Sequence, residues 1–102
     1  MKYIDTNIIL RFLLRDEDTL YLKAKEIILS NENLFVLNEV ITEAVYVLVK
    51  VYNIEKQKVC KVLSDFIKSQ SIVMYDKNVM LNAFSIFSKN NIDFVDCILC
   101  AI

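Results

Sequence analysis

Apolar positions fall into short solid runs separated by longer stretches with helical spacing. The runs are Lys2-Tyr3-Ile4, Leu34-Phe35-Val36-Leu37 and Ser71-Ile72-Val73-Met74-Tyr75. Their length and unbroken apolar character predict strands covered on both faces. Thr6 to about Leu14 reads as a helix, and Leu20, Ala24, Ile27 and Ile28 trace a second ending near Ser30. Ile41, Ala44, Val45, Leu48, Val49 and Tyr52 trace a third. Val40, Val47 and Val51 are apolar as well, so this helix is predicted to be buried on most sides. Val59, Val62, Leu63, Phe66 and Ile67 give an amphipathic helix, Asp76 to Lys89 another capped by Asp76, and a last one starts near Asp93. Arg15 to Asp18, Asn31 to Asn33 and Asn90-Asn91 are the breaks. Strand and helix alternate, which predicts an α/β fold with a parallel sheet between helical layers, in one domain over residues 1–102. Ligands of such sheets bind beyond the carboxyl ends of the strands.

Three acids interrupt this pattern. Asp5 ends the first run, Glu43 lies inside Val40 to Val49, and Asp96 lies inside Phe94 to Ile102. A carboxylate in an apolar setting is costly without a partner, and none of the three has an obvious basic neighbour in sequence. A divalent cation would supply the missing charge. Asp5 follows the first strand, Glu43 falls in the first turns of the helix after the second, and Asp96 in the first turn of the last helix, so the three are expected to face one cleft.

Composition narrows the chemistry. The 102 residues include no His, Gly, Pro or Trp. Histidine bases, His zinc ligands and Ser-His-Asp catalysis are excluded, as are glycine-rich phosphate loops. Cys60, Cys97 and Cys100 include one C-x-x-C, too little for a tetrahedral zinc site, and read as buried structural thiols. A net charge of −1 argues against a large nucleic-acid footprint but not a small one assisted by cations. The hydrophobic fraction of 56% and mean hydropathy of +0.41 imply a well-buried core or a partner-covered surface. No apolar run approaches the roughly 18 residues of a membrane span, and the start carries no signal-peptide pattern, so a cytoplasmic protein is expected.

Tyr3-Ile4-Asp5-Thr6-Asn7-Ile8-Ile9-Leu10-Arg11 resembles the opening of PIN domains. Glu43 within Asn38 to Leu48 resembles their second acidic motif, and Asp93-Phe94-Val95-Asp96-Cys97-Ile98-Leu99-Cys100-Ala101 their third. The likeness covers the chain in order and is greatest to VapC-type toxins of bacterial toxin–antitoxin pairs. It implies a three-layer α/β/α fold and a magnesium- or manganese-dependent endoribonuclease with RNA as substrate and an antitoxin as partner. It carries metal binding and catalysis onto Asp5, Glu43 and Asp96, with Asp93 as a companion. Thr6 resembles the hydroxyl residue that orients the first acid, and Asn7 the support beside it. PIN domains continue past the third motif to a strand bearing a further Asp, whereas nothing follows Ile102, so the chain reads as C-terminally truncated.

Other readings stand beside these. Asp5 can cap the first helix, and Asp93 with Asp96 can form a capping pair. Arg11 and Arg15 can touch a phosphate or form a solvated helix face. At the level of function, a non-catalytic PIN remnant that only binds a partner, and an acidic hydrolase of small phosphoesters, remain alternatives. A homodimer or a toxin–antitoxin complex would cover the apolar surface.

Overall fold

The computed structural model describes residues 2–30 and 32–102; Asn31, part of one predicted turn, lies outside them. The order is β1 (Lys2–Tyr3), α1 (Thr6–Leu14), α2 (Asp18–Ile28), β2 (Leu34–Phe35), α3 (Asn38–Tyr46), a π-helical segment (Val47–Val51), α4 (Lys56–Ile67), β3 (Ile72–Val73), α5 (Lys77–Lys89) and α6 (Phe94–Ala101). The strands form a parallel sheet in the order β1-β2-β3, with Lys2 opposite Leu34 and Leu34 opposite Ile72. Parallel neighbours require long crossovers, and each here is a pair of helices. The α/β architecture is the one the alternation predicts.

The strands are shorter than their apolar runs, but the pairing reaches beyond them. Ile4 N–H donates to the Phe35 carbonyl at 3.2 Å, and Val36 N–H to the Val73 carbonyl at 2.9 Å. Alternate residues point to opposite sides of a sheet. Ile4, Leu34, Val36, Ile72 and Met74 are buried on one side. On the other, the Phe35 ring meets Tyr3 and Tyr75 edge-on, at 5.1 Å and 5.0 Å between centroids. Phe35 is buried between these two exposed tyrosines.

Side-chain caps fix several helix starts. Asp5 accepts from Ile8 N–H at 3.1 Å, Glu17 from Leu20 N–H at 2.8 Å and Asp76 from Val79 N–H at 3.1 Å. Each satisfies a backbone donor that the first turn leaves without a partner. Asp76 thus takes the capping role its sequence position predicts.

The third helix departs from expectation in two ways. Its α-helical part ends at Tyr46, and Tyr52 N–H closes onto the Val47 carbonyl at 3.1 Å, a wider turn. Asn53 then adopts a left-handed conformation at φ 54°, and Ile54 N–H reaches the Leu48 carbonyl at 3.0 Å, so Asn takes the stop position glycine usually holds. Nor is the helix buried on most sides. Glu39, Glu43, Tyr46 and Lys50 form an exposed stripe, while Ile41, Ala44, Val45 and Leu48 face the core. The polar positions, at helical spacing, decide the face; Val40 and Val47 are only half-buried flanks, and Val51 is exposed.

The core continues through α4, α5 and α6, where Leu63, Ile67, Met80 and Phe84 are inaccessible or nearly so. Phe94 anchors α6 by stacking on Phe84 at 5.2 Å and meeting Phe87 edge-on at 5.4 Å. Cys60 and Cys97 lie in this core, but Cys100 is exposed, which corrects the reading of both C-x-x-C thiols as buried. Each three-residue step displaces the side chain by about 60° around the helix, so the drift from Phe94 through Cys97 carries Cys100 past the edge of the buried face. Burial pushes the Cys60 thiol up to about 11 and raises that of Cys97. Among the described residues no helix is long and apolar enough to cross a membrane.

Two outcomes follow from this packing. Iodoacetamide at neutral pH labels Cys100 in the folded protein, and Cys60 and Cys97 only after denaturation, as read by peptide mass spectrometry. Leu63→Ala lowers unfolding stability by about 2–5 kcal/mol in urea titration, because the cavity collapses only partially.

Candidate metal centre

All three acids singled out in the sequence are exposed. The premise that they sit in apolar surroundings is therefore corrected: their sequence neighbours are apolar, but each carboxylate projects from the outer face of its element.

Asp5 stands just beyond β1 and caps α1. One oxygen accepts from Ile8 N–H, and a carboxylate has lone pairs left for a further partner. Thr6, the first residue of α1, is only 6% accessible. Its hydroxyl donates to Glu43 Oε2 at 3.1 Å, with the Val40 carbonyl more distant at 3.5 Å. The single hydroxyl proton goes to the shorter, charge-assisted bond. Thr6 therefore positions the second acid, not the first as the resemblance implied. The first acid is already engaged by its own helix, whereas Thr6 turns toward α3. Asn7 is exposed on the same turn.

Asp96 lies on α6. A groove of about 560 Å³ between α3 and α6 is bordered by Glu43, Thr42, Tyr46 and Val95. A cavity of about 570 Å³ adjoins it, shares Thr42, Tyr46 and Val95, and is bordered by Asp93 and Asp96. Glu43 thus borders the groove, Asp96 the adjoining cavity and Asp5 neither, so the three acids do not line one cleft as their sequence positions predicted; Thr6, next in the chain to Asp5, links Glu43 to the start of α1. Among the described residues no three carboxylates or thiols form a cluster able to hold a metal ion. Asp5 is engaged by its own helix, Glu43 by Thr6, and Asp96 is exposed, so no partner draws the three like charges together.

Asp93 occupies the cap position of α6, yet its side chain makes no capping bond. The capping pair with Asp96 is therefore not formed. Arg11 pairs with Asp16, with both carboxylate oxygens at 3.2 Å, and the Arg15 guanidinium lies 4.3 Å from the Tyr21 ring centre. They stand about 9 Å and 15 Å along the helix from Asp5, given 1.5 Å rise per residue. Both arginines therefore serve the α1–α2 corner rather than the acid-bearing end.

The donor chemistry fits a hard divalent cation. Asp5, Glu43, Asp96 and Asp93 offer only oxygen, and the ion pairs among the described residues, Arg11–Asp16 and Lys61–Asp65, use none of them. Magnesium favours oxygen ligands and keeps several waters, so one or two direct carboxylates suffice.

Over residues 2–102 the sequence matches the PIN domain family. The chain belongs to that family. It is 31% identical over 101 residues to a VapC ribonuclease of Aquifex aeolicus (strain VF5), an alignment spanning 96% of this chain and 75% of the relative. No solved structure matches it significantly.

Three residues that sequence reasoning passed over border this PIN domain's cavity beside its acids: Tyr46, Lys50 and Lys56. The signal for the first two was available, because Glu39, Glu43, Tyr46 and Lys50 recur at helical spacing. Lys56 carries no such signal, since only the fold brings the start of α4 to this wall.

Capping and charge at Asp5 are separable. Asn caps as well as Asp, whereas Ala does not. Without divalent cations, Asp5→Asn is expected to melt close to wild type and Asp5→Ala to lose about 1 kcal/mol, as measured by circular dichroism. Equal destabilisation by both would place the structural role of Asp5 elsewhere.

Proposed function

We propose that the chain is a magnesium- or manganese-dependent endoribonuclease, the toxin member of a toxin–antitoxin pair acting in the cytoplasm, and that it folds as a single domain. The observation that carries this reading is the Thr6 hydroxyl, one residue after Asp5, holding the Glu43 carboxylate, where α1 and α3 start beyond adjacent parallel strands. The likeness to a VapC ribonuclease supports the substrate class.

In this reading Asp5, Glu43 and Asp96 hold the cation, with Asp93 at the rim. When bound, the ion supplies a lowered water pKa and charge stabilisation for phosphodiester hydrolysis, chemistry that needs no histidine. The chain's own residues position and discriminate. Thr6 fixes the Glu43 carboxylate by hydrogen bond and Asp5 is fixed by its cap, so two ligands are preset before any substrate arrives. The apolar faces of Val95 and Tyr46 border the site and limit water around the reacting phosphate. The antitoxin is the partner that covers the cleft and the exposed apolar residues of α3 and α6.

A second reading, a partner-binding module without catalysis, is favoured by one observation: the acids do not form a closed three-member cluster. Metal response separates the two. Magnesium is expected to raise the melting temperature of wild type and to leave Asp5→Asn unmoved; equal shifts in both refute a site at Asp5. With magnesium, wild type cleaves RNA, and Glu43→Gln and Asp96→Asn lose about 100-fold or more, the scale of removing an electrostatic stabiliser. Wild-type activity that persists in EDTA, or unaltered activity in either variant, would contradict the assignment. Expression of wild type, but not of Glu43→Gln, is expected to arrest growth.

A further inference from the structure

The cavity beside the acids is built differently from the acid site itself. Its volume of about 570 Å³ lies within the range of small-molecule sites, roughly 300–1,000 Å³. Asp93 and Asp96 border it together with Lys50 and Lys56, while Thr42 and Tyr46 connect it to the Glu43 groove. Neither lysine forms an ion pair with the aspartates. Lys56 Nζ donates to the Asn90 carbonyl at 2.7 Å and rests 4.8 Å from the centre of the Phe87 ring. One of its three donors is used, and the contact fixes the ammonium in place. Tyr46 is 62% accessible and borders the cavity beside the exposed Val95 and Lys50, so its ring face is open to a ligand there. The π-helical turn after Tyr46 sets Val49 and Lys50 on the cavity wall beside it.

We propose that this cavity seats the nucleotide adjoining the cleaved bond, with Tyr46 stacking on the base and Lys50 and Lys56 binding its phosphate. The inference rests on the ribonuclease reading and adds a recognition site to it. An exposed aromatic beside cations, one of them held in place, is how single strands are held without strong sequence preference, because every base has a stacking face. The arrangement also fits a chain of net charge −1, because two lysines in a cavity give a small phosphate footprint.

The test uses the full chain carrying Asp5→Asn, which blocks cleavage and does not border the cavity. Binding of a fluorescein-labelled single-stranded RNA octamer is followed by anisotropy with magnesium present. Adding Tyr46→Ala is expected to weaken binding about 5- to 100-fold. Adding Lys50→Ala is expected to weaken it and reduce the salt slope by about 0.7, one phosphate contact. Lys23→Ala, on exposed α2, should change neither. Circular dichroism melts verify that each variant is folded. Affinity unchanged by Tyr46→Ala and Lys50→Ala overturns the inference, as does absence of RNA binding by the Asp5→Asn protein. A changed solution mass for Tyr46→Ala at constant RNA affinity assigns the face to protein contact and equally overturns it. Failure of the ribonuclease reading is seen separately, as absent RNA cleavage by wild type.

Discussion

The hydrogen bond from Thr6 to Glu43 joins two elements that the chain separates by 37 positions. It ties the first turn of α1 to the middle of α3, and so relates the residues beyond two adjacent strands. The hydroxyl is nearly buried and donates to a carboxylate at 3.1 Å, so the contact orients Glu43. Its geometry is possible because parallel pairing of β1 and β2 brings the starts of their following helices side by side. The position of Glu43, the groove between α3 and α6, and the neighbouring cavity all refer back to that joint.

Much of the fold was legible because its elements are locally consistent. Asp76 and Asp5 cap their helices where the residue types predict, and α1 spans the residues its periodicity marks. The aromatic and aliphatic positions of α4 fall on one face, as their spacing implies. The less legible part lies where apolar composition conflicts with position. Val40, Val47 and Val51 suggested a helix buried on most sides, whereas Glu39, Glu43, Tyr46 and Lys50 identify its open face. Cys100 was read with its apolar neighbours but lies on the outer flank of α6. Neither error arises when polar spacing is weighed as heavily as apolar spacing.

The candidate site was legible in its residue types and opaque in its geometry. Asp5, Glu43 and Asp96 stood out because acids interrupt apolar sequence, yet exposure, not burial, is what makes them available to a cation. Which acid Thr6 serves depends on how two helices pack, and no spacing within one element encodes that. The same holds for Lys56, whose place at the cavity follows from the contact between the start of α4 and the turn before α6. Acids on one wall and lysines on another would give the molecule a division of labour, cation binding beside phosphate binding. Among the described residues neither lysine is paired with either aspartate.

The central claim is that Asp5, Glu43 and Asp96 serve one divalent ion although they are apart without it. Manganese titration followed by amide NMR tests it most directly, because a paramagnetic ion broadens signals near its binding site. The account predicts that resonances around residues 5, 43 and 96 broaden together at one manganese concentration, and that Asp5→Asn weakens the effect at all three. Broadening confined to one of these regions, or unrelated concentrations for each, would contradict it.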